Sequence, residues 1–388
     1  MFLQNAISKR INDNNPVKVA LIGAGKFGSM FLSQVPSTLG IEVLVIADLK
    51  PDNAVKACKN VGWSDDLINK TKFVDRGTDA IKLNEVEVVI EATGFPAAGI
   101  EHARQAFQNG KHIIMVNVEA DVLAGAALVK EANSAGVVYS MAYGDQPALT
   151  AEIVEWARAS GFNVTSAGKG TRYQPIYHKS SPDTVWDYYG LTHEEAKKAG
   201  MNPKMFNSFL DGTKSGLEMA AIANACDLDV PTNGLLFPPC GMDDLANVLK
   251  PIKAGGFLEK NGQVEVVSSL ERDGRPVFKD LRWGVFAVLE APNDYAASCF
   301  KQYGMNTDDT GKFSAMYKPF HLIGMELNIS VFSAALLNQA TGQTKKFTGD
   351  VVSTTKTILK KGEILDGEGG ATVWGKLVPS KLSLSMEA

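Results

Sequence analysis

KVALIGAGKFGSMFLSQV, from Lys18 to Val35, is the stretch whose reading decides the fold. Its first part is apolar and β-branched, and its last part has helical spacing. Between them stand Gly23, Gly25 and Gly28, at the spacing GxGxxG. Two readings fit. In one, a strand turns into a helix and needs glycine only for the turn. In the other, the turn cradles the phosphates of a dinucleotide. The pattern is short and glycine is common, so the surrounding sequence must decide.

The surroundings repeat one theme. VKVALIG, IEVLVIAD, VEVVIEAT, KHIIMVN and GVVYSMA are short apolar runs bounded by turn residues. They read as buried parallel strands. KFGSMFLSQVPST, PAAGIEHARQAFQNG and VLAGAALVKEANSAG lie between them and read as helices. Strand and helix in alternation predict an α/β fold, a doubly wound Rossmann-type parallel sheet with helices on both faces. Residues 61–82 are polar and irregular and stay unassigned.

Within that frame the glycines follow a strand and open a helix. Asp48 ends the next strand, 20 residues after Gly28. This is the full dinucleotide fingerprint. Gly23 allows a tight turn, Gly25 lets pyrophosphate approach the backbone, and Gly28 lets helix and strand pack closely. Lys26 and Phe27 complete the cofactor-binding loop. The helix start offers N–H groups and a positive dipole end. Asp48 would accept hydrogen bonds from ribose hydroxyls. A carboxylate there repels a 2′-phosphate, so NAD is the expected cofactor, with NADP possible because Lys50 is near.

The whole chain sets the limits. Its 388 residues exceed one core, so two or three domains are expected. With 45% hydrophobic and 21% charged residues and a net charge of −4, it has no basic excess that suggests nucleic acid or an acidic membrane. No apolar run reaches the roughly 18 residues of a membrane span. Cys58, Cys226, Cys240 and Cys299 are far apart and match no zinc spacing. The first sixteen residues hold no apolar core of signal-peptide length. A cytoplasmic protein with free thiols is expected.

Other polar groups gather where ligands bind in such sheets. Thr93 and Gly94 follow a strand at its carboxyl edge, and Asn117, Glu119 and Asp121 follow the next. The plainer reading of the latter group is a helix cap. Asp145 is a candidate N-cap of a helix with Pro147 in its first turn. SAGKGTRY reads as a strand running into a glycine-flanked loop with two cations, Lys169 and Arg172, suited to a phosphate or carboxylate. A solvated turn would look the same. NPKMFNSFLDGTKSGLEMAAIANAC, residues 202 to 226, reads as one long helix. Asn207, Asp211, Lys214 and Glu218 then share a face. That face is either solvated or a catalytic stripe in which two carboxylates hold Lys214 charged, as a proton donor or oxyanion partner. Near the end, KFSAMYKPFHL contains Tyr317, Lys318 and His321; a lone His is more often structural than catalytic.

Taken together, GAGKFG, EATG, KHIIMVNVEAD, SAGKG, FLDGTKSGLEMAAIANA and YKPFHL resemble the homoserine-dehydrogenase-like oxidoreductases. The likeness is closest to the 1-deoxy-D-xylulose 5-phosphate reductoisomerase-like branch and runs from about residue 17 to 375. It implies an NAD(P)-binding domain over 1–150, an α+β catalytic domain with dimerisation surfaces over 151–345, and a partial SAF-type domain over 346–388. A homodimer or homotetramer is implied. By position, Asn117 and Glu119 match the loop beside the nicotinamide, and Asp145 and Lys169 match charged positions of the catalytic pocket. Asp211, Lys214 and Glu218 match the helix of acid–base groups. Lys318 and His321 match the cationic segment near the substrate's phosphate or carboxylate.

Departures from the branch are equally specific. Asp48, Leu49 and Lys50 stand where the reductoisomerases carry an arginine-rich sequence. Gln146 replaces the Glu of GDEP, and Thr171 and Arg172 replace Lys and Asn. Val118 replaces the Lys that follows the corresponding Asn of homoserine dehydrogenases. Val118 argues against homoserine, and the changes at Gln146, Thr171 and Arg172 count against a reductoisomerase substrate and a divalent metal; no metal ligand is assigned. The expected function is hydride transfer between nicotinamide and a small polar, anionic hydroxy or keto substrate. A sugar-phosphate reductoisomerase and a non-catalytic NAD-bound sensor are the alternatives.

Overall fold

The structure, a computed structural model, describes residues 3–386. It divides into two compact units. One is Met1–Glu152 with His321–Lys346, and the other is Ile153–Phe320 with Phe347–Ala388.

The first unit is built on six parallel strands: β1 (Val17–Ile22), β2 (Ile41–Ala47), β3 (Lys72–Val74), β4 (Val88–Glu91), β5 (His112–Met115) and β6 (Tyr139–Met141). Their order is β3-β2-β1-β4-β5-β6. Successive side chains of a strand point to opposite faces, and each face has its own core. Val19 and Leu21 of β1 pack with Phe31, Leu32 and Trp63 on one face. Ala20 and Ile22 pack with Ala103, Phe107 and Leu128 on the other. The strand order reverses between β1 and β4, so the turns after these two strands diverge and leave a crevice.

The unassigned stretch 61–82 holds the helix Asp65–Lys70, the edge strand β3 and the helix Gly77–Ile81. Residues 321–345, expected in the catalytic domain, instead return to this unit together with Lys346. Leu327, Val331 and Phe332 fill the core beside Phe31. Their apolar spacing looks the same in either unit, so sequence pattern could not place them.

The second unit centres on β7 (Asn163–Thr171), β8 (Gln263–Ser268), β9 (Val285–Glu290) and β10 (Phe313–Lys318), in the order β10-β9-β7-β8. Two expectations are corrected here. SAGKG is not a loop but the interior of β7. Its glycines serve packing, because a side-chain carbon at Gly168 would collide with the Glu265 carbonyl and one at Gly170 with the Leu281 carbonyl. Residues 202–226 are not one helix but two, Pro203–Leu210 and Thr213–Cys226. The chain breaks at Gly212, whose φ of 94° no helix accepts.

The described residues expected in a third domain fall, from Phe347 on, within the second unit. Two antiparallel strands, β11 (Gly349–Thr355) and β12 (Val373–Pro379), belong to the second unit. Asn224 of the Thr213 helix accepts the N–H groups of Thr348 and Gly349, and Thr213 Oγ1 accepts that of Gly375. Among the described residues no helix is long and apolar enough to cross a membrane.

Candidate active site

In the first unit the three glycines of the opening stretch do three different jobs. Gly23 has φ 98°, and a side-chain carbon there would lie 2.6 Å from the Ala92 carbonyl oxygen. At Gly28 it would collide with the Gly23 carbonyl. At Gly25 it would meet nothing within 4 Å. Gly23 and Gly28 therefore close the turn on the sheet and on itself, and Gly25 leaves an open floor. Gly25 also caps the helix Lys26–Gln34 without any side-chain cap, so its first N–H groups face outward. Lys26 and Phe27 form the first turn.

Asp48 is fixed beside this turn. Its Oδ2 accepts the Ala24 N–H at 3.1 Å and its Oδ1 the Lys50 N–H at 3.0 Å. Each oxygen keeps a second lone pair for a ligand hydroxyl. A cleft of about 580 Å³ runs along the crevice, lined among others by Gly23, Gly25, Asp48, Arg76, Thr93 and His102. Gly94 turns the chain with φ 69°. These residues fit the adenosine and pyrophosphate of a dinucleotide.

Arg76 and His102 are cleft residues that the sequence reading missed. Arg76 follows the three-residue strand β3 in the unassigned stretch. His102 looks like an ordinary helical polar residue, yet its Nδ1 lies 3.4 Å from Oε1 of the fully buried Glu91. Glu91 also accepts the N–H and hydroxyl of Thr93, which aims the strand end at the cleft.

Asn117 caps the helix Val118–Ala135, its Oδ1 accepting the Ala120 N–H at 3.1 Å, while its buried Nδ2 has no partner. Glu119 is half-buried in that helix's first turn. Asp121 faces the core, not a ligand. The Tyr139 hydroxyl donates to it at 2.9 Å and the Thr344 hydroxyl at 3.1 Å, and burial raises its pKa to about 6. Asp145 is buried directly before the helix Gln146–Ala159, whose Gln146 N–H it accepts at 2.8 Å.

In the second unit the expected four-residue stripe is dispersed, because Gly212 ends the shared face. Asn207 is tied to Ser180 and to the Gly369 carbonyl. Asp211 is fully buried against Lys356, whose Nζ donates at 2.7 Å to Asp211 Oδ2 and to the carbonyls of Ser180 and Gly370. Burial pushes the Asp211 carboxyl up, and the Lys356 ammonium opposes that push. Asp211 thus locks β11 to the helix break and does not orient Lys214. What remains of the stripe is Lys214 and Glu218, one helical turn apart. Lys214 pairs with Glu368 at 3.3 Å. Glu218 pairs with Lys169 of β7, both side chains more than nine-tenths buried. Arg172 follows β7 with its Nε buried and unpartnered.

Lys318 ends β10 and is half-buried. His321, three residues on, belongs to the first unit, so the boundary falls between them. Among the described residues no three His, Cys, Asp or Glu side chains converge to hold a metal ion.

Two family models match the chain, one after the other. Residues 23–142 match the model of the homoserine dehydrogenase NAD-binding domain. Residues 144–327 match that of the oxidoreductase DRL catalytic domain. The chain therefore carries the NAD-binding and catalytic domains of an NAD(P)-dependent oxidoreductase. Its cofactor-binding region is similar to that of homoserine dehydrogenases.

Several solved structures are similar. A homoserine dehydrogenase from Thiobacillus denitrificans is 15% identical over 84% of this chain and 74% of that one, with a TM-score of 0.47. A levoglucosan dehydrogenase solved with NADH is 14% identical over 78% of this chain and 66% of that one, with a TM-score of 0.38. The WlbA dehydrogenase from Bordetella pertussis, solved with NADH and UDP-GlcNAcA, is 16% identical over 42% of this chain and 48% of that one, with a TM-score of 0.31. The chain spans about half the length of several matched structures. No curated protein matches the chain.

Proposed function

We propose that the protein transfers a hydride between NAD(P) and a small polar hydroxy or keto substrate that carries an anionic group. The observation that carries this reading is the cluster Lys169–Glu218–Lys214 in the catalytic unit. Lys214 and Glu218 stand one turn apart on the Thr213 helix; Glu218 pairs with Lys169 of the adjoining strand, and Lys214 pairs with Glu368. A cation near a helix start is disfavoured by the helix dipole, so Lys214 is not there to stabilise its helix. Such a pair of cations suits an oxygen that gains negative charge.

When bound, NAD(P) supplies the hydride chemistry. Gly25 and the open helix start hold the pyrophosphate, and Asp48 accepts the ribose hydroxyls, which favours NAD. Lys214 polarises the substrate oxygen and donates or withdraws its proton. Glu218 keeps the Lys169 ammonium in place, and Lys169 adds positive potential beneath the substrate.

The test is a substrate screen at the reduced nicotinamide's absorbance, with NAD and NADP in parallel, followed by Lys214→Ala. The variant should lose on the order of 10²-fold in kcat with its NADH affinity unchanged. Equal turnover would return Lys214 to a surface ion pair with Glu368.

A further inference from the structure

On the side of the Thr213 helix that faces β12, away from Glu218, the second unit holds a cavity of about 210 Å³. None of the groups discussed for catalysis lines it. Its walls include His178, Gly216, Asn233, Phe237, Trp374 and Lys376. We propose that this cavity is a second ligand site, for a small carboxylate with a flat apolar body. The proposal does not rest on the reaction proposed above.

The walls are flat and rigid. The His178 ring stacks on Trp374 with centroids 3.9 Å apart and planes 24° from parallel. Tyr173 stacks on Phe237 at 4.0 Å and 13°. His178 Nδ1 lies 2.7 Å from the Asp211 carbonyl, which can only accept, so Nδ1 carries the proton. Its Nε2 then accepts the Tyr173 hydroxyl at 3.0 Å. Both ring nitrogens are engaged, and burial lowers the pKa. His178 is therefore a neutral wall and not an acid or base.

Phe237 sits at φ 51°, an unfavourable conformation for a side chain of its size. The surrounding structure over-determines it. Glu265 accepts the N–H groups of Leu236 and Phe237, and Arg272 donates to both of their carbonyls. Backbone strain held from two sides is characteristic of ligand clamps.

One charge looks into this apolar frame. Lys376 is half-buried, and its stem packs over Gly234, whose φ of 88° and missing side chain leave it room. No acidic side chain of the described residues pairs with it. Asn233 adds an amide at the rim. A flat apolar body would stack against Trp374 and Phe237. Its carboxylate would meet the Lys376 ammonium in a charge-assisted hydrogen bond.

The probe is benzoate, titrated calorimetrically into the whole protein, with inorganic phosphate as a second probe. Wild type should bind benzoate and bind phosphate at least tenfold more weakly. Lys376→Met should lower benzoate affinity at least tenfold, and Lys376→Arg should retain it. NADH affinity, measured in each, reports that the fold is intact. Lys214→Met should leave benzoate binding unchanged. Failure of wild type to bind benzoate would overturn the proposal. So would equal affinity for phosphate, undiminished binding in Lys376→Met, or loss of binding in Lys214→Met, which would place the anion at the catalytic cluster.

Discussion

Among the described residues two α-helices start at a glycine cap without a capping side chain, Lys26–Gln34 after Gly25 and Thr213–Cys226 after Gly212. Around the first, the side-chain partner is comparatively near: the turn bonds back to Asp48, 24 residues from Ala24. Around the second, each charge finds its partner far along the chain. Glu218 meets Lys169 at a separation of 49 residues, and Asp211 meets Lys356 at 145. A motif whose partners are near in sequence announces its chemistry. A motif whose partners are distant shows only which residues are charged.

The strongest way to break this contrast is to remove a distant partner. Lys169→Met leaves the Glu218 carboxylate buried and unpaired. Unfolding free energy in urea should fall by about 3–5 kcal/mol. Adding Glu218→Leu should recover most of the loss. A single variant as stable as wild type would show that the pair is solvated, and the contrast would fail.

A pH series sharpens it next. Burial raises Glu265 to about 7 from 4.5, and Asp121 to about 6 from 3.8. Because both folded values are raised, the folded chain binds more protons than the unfolded one across that window. Stability should therefore fall as pH rises from about 4 to 7, by about 3 kcal/mol for each group. Glu265→Gln should flatten the part between about 4.5 and 7, read as urea midpoints across pH. A slope unchanged in that variant would contradict the assignment.

Within the local motif, Gly28→Ala and Gly25→Ala should separate. The first forces a methyl into the Gly23 carbonyl and should cost roughly 1–3 kcal/mol of stability. The second has room in the protein, so thermal unfolding without ligand should barely change while NADH binding weakens. The smallest expected effect is that of Asp48→Ala. Loss of its ribose contact should weaken NADH about fivefold, near 1 kcal/mol, and NADPH less. Wild-type protein that strongly prefers NADP would contradict the role given to Asp48.

The parallel sheet was legible because its strands are continuous apolar runs and its helices keep a 3.6-residue period. The cofactor turn was legible because Gly23, Gly25, Gly28 and Asp48 act through backbone geometry at fixed spacing. Arg76 was not, since a three-residue edge strand leaves no periodic trace. The break in residues 202–226 leaves no mark in the sequence because Gly212 sits inside an otherwise sound helical pattern, where one glycine is tolerated. In sequence Lys169 looks like a loop cation because two flanking glycines suggest a turn. Only the neighbouring strand shows that they are there for close packing.

By itself the sequence determined the doubly wound sheet and the glycine turn after its first strand, and it marked which lysines and carboxylates could carry chemistry. These follow from residue periodicity and from contacts a few residues apart. Tertiary structure alone decided how those charges pair, that residues 321–346 return to the first unit, and that β11 and β12 join the catalytic unit. The physical reason is that buried charge must find a partner, and which one it finds depends on the path of the whole chain.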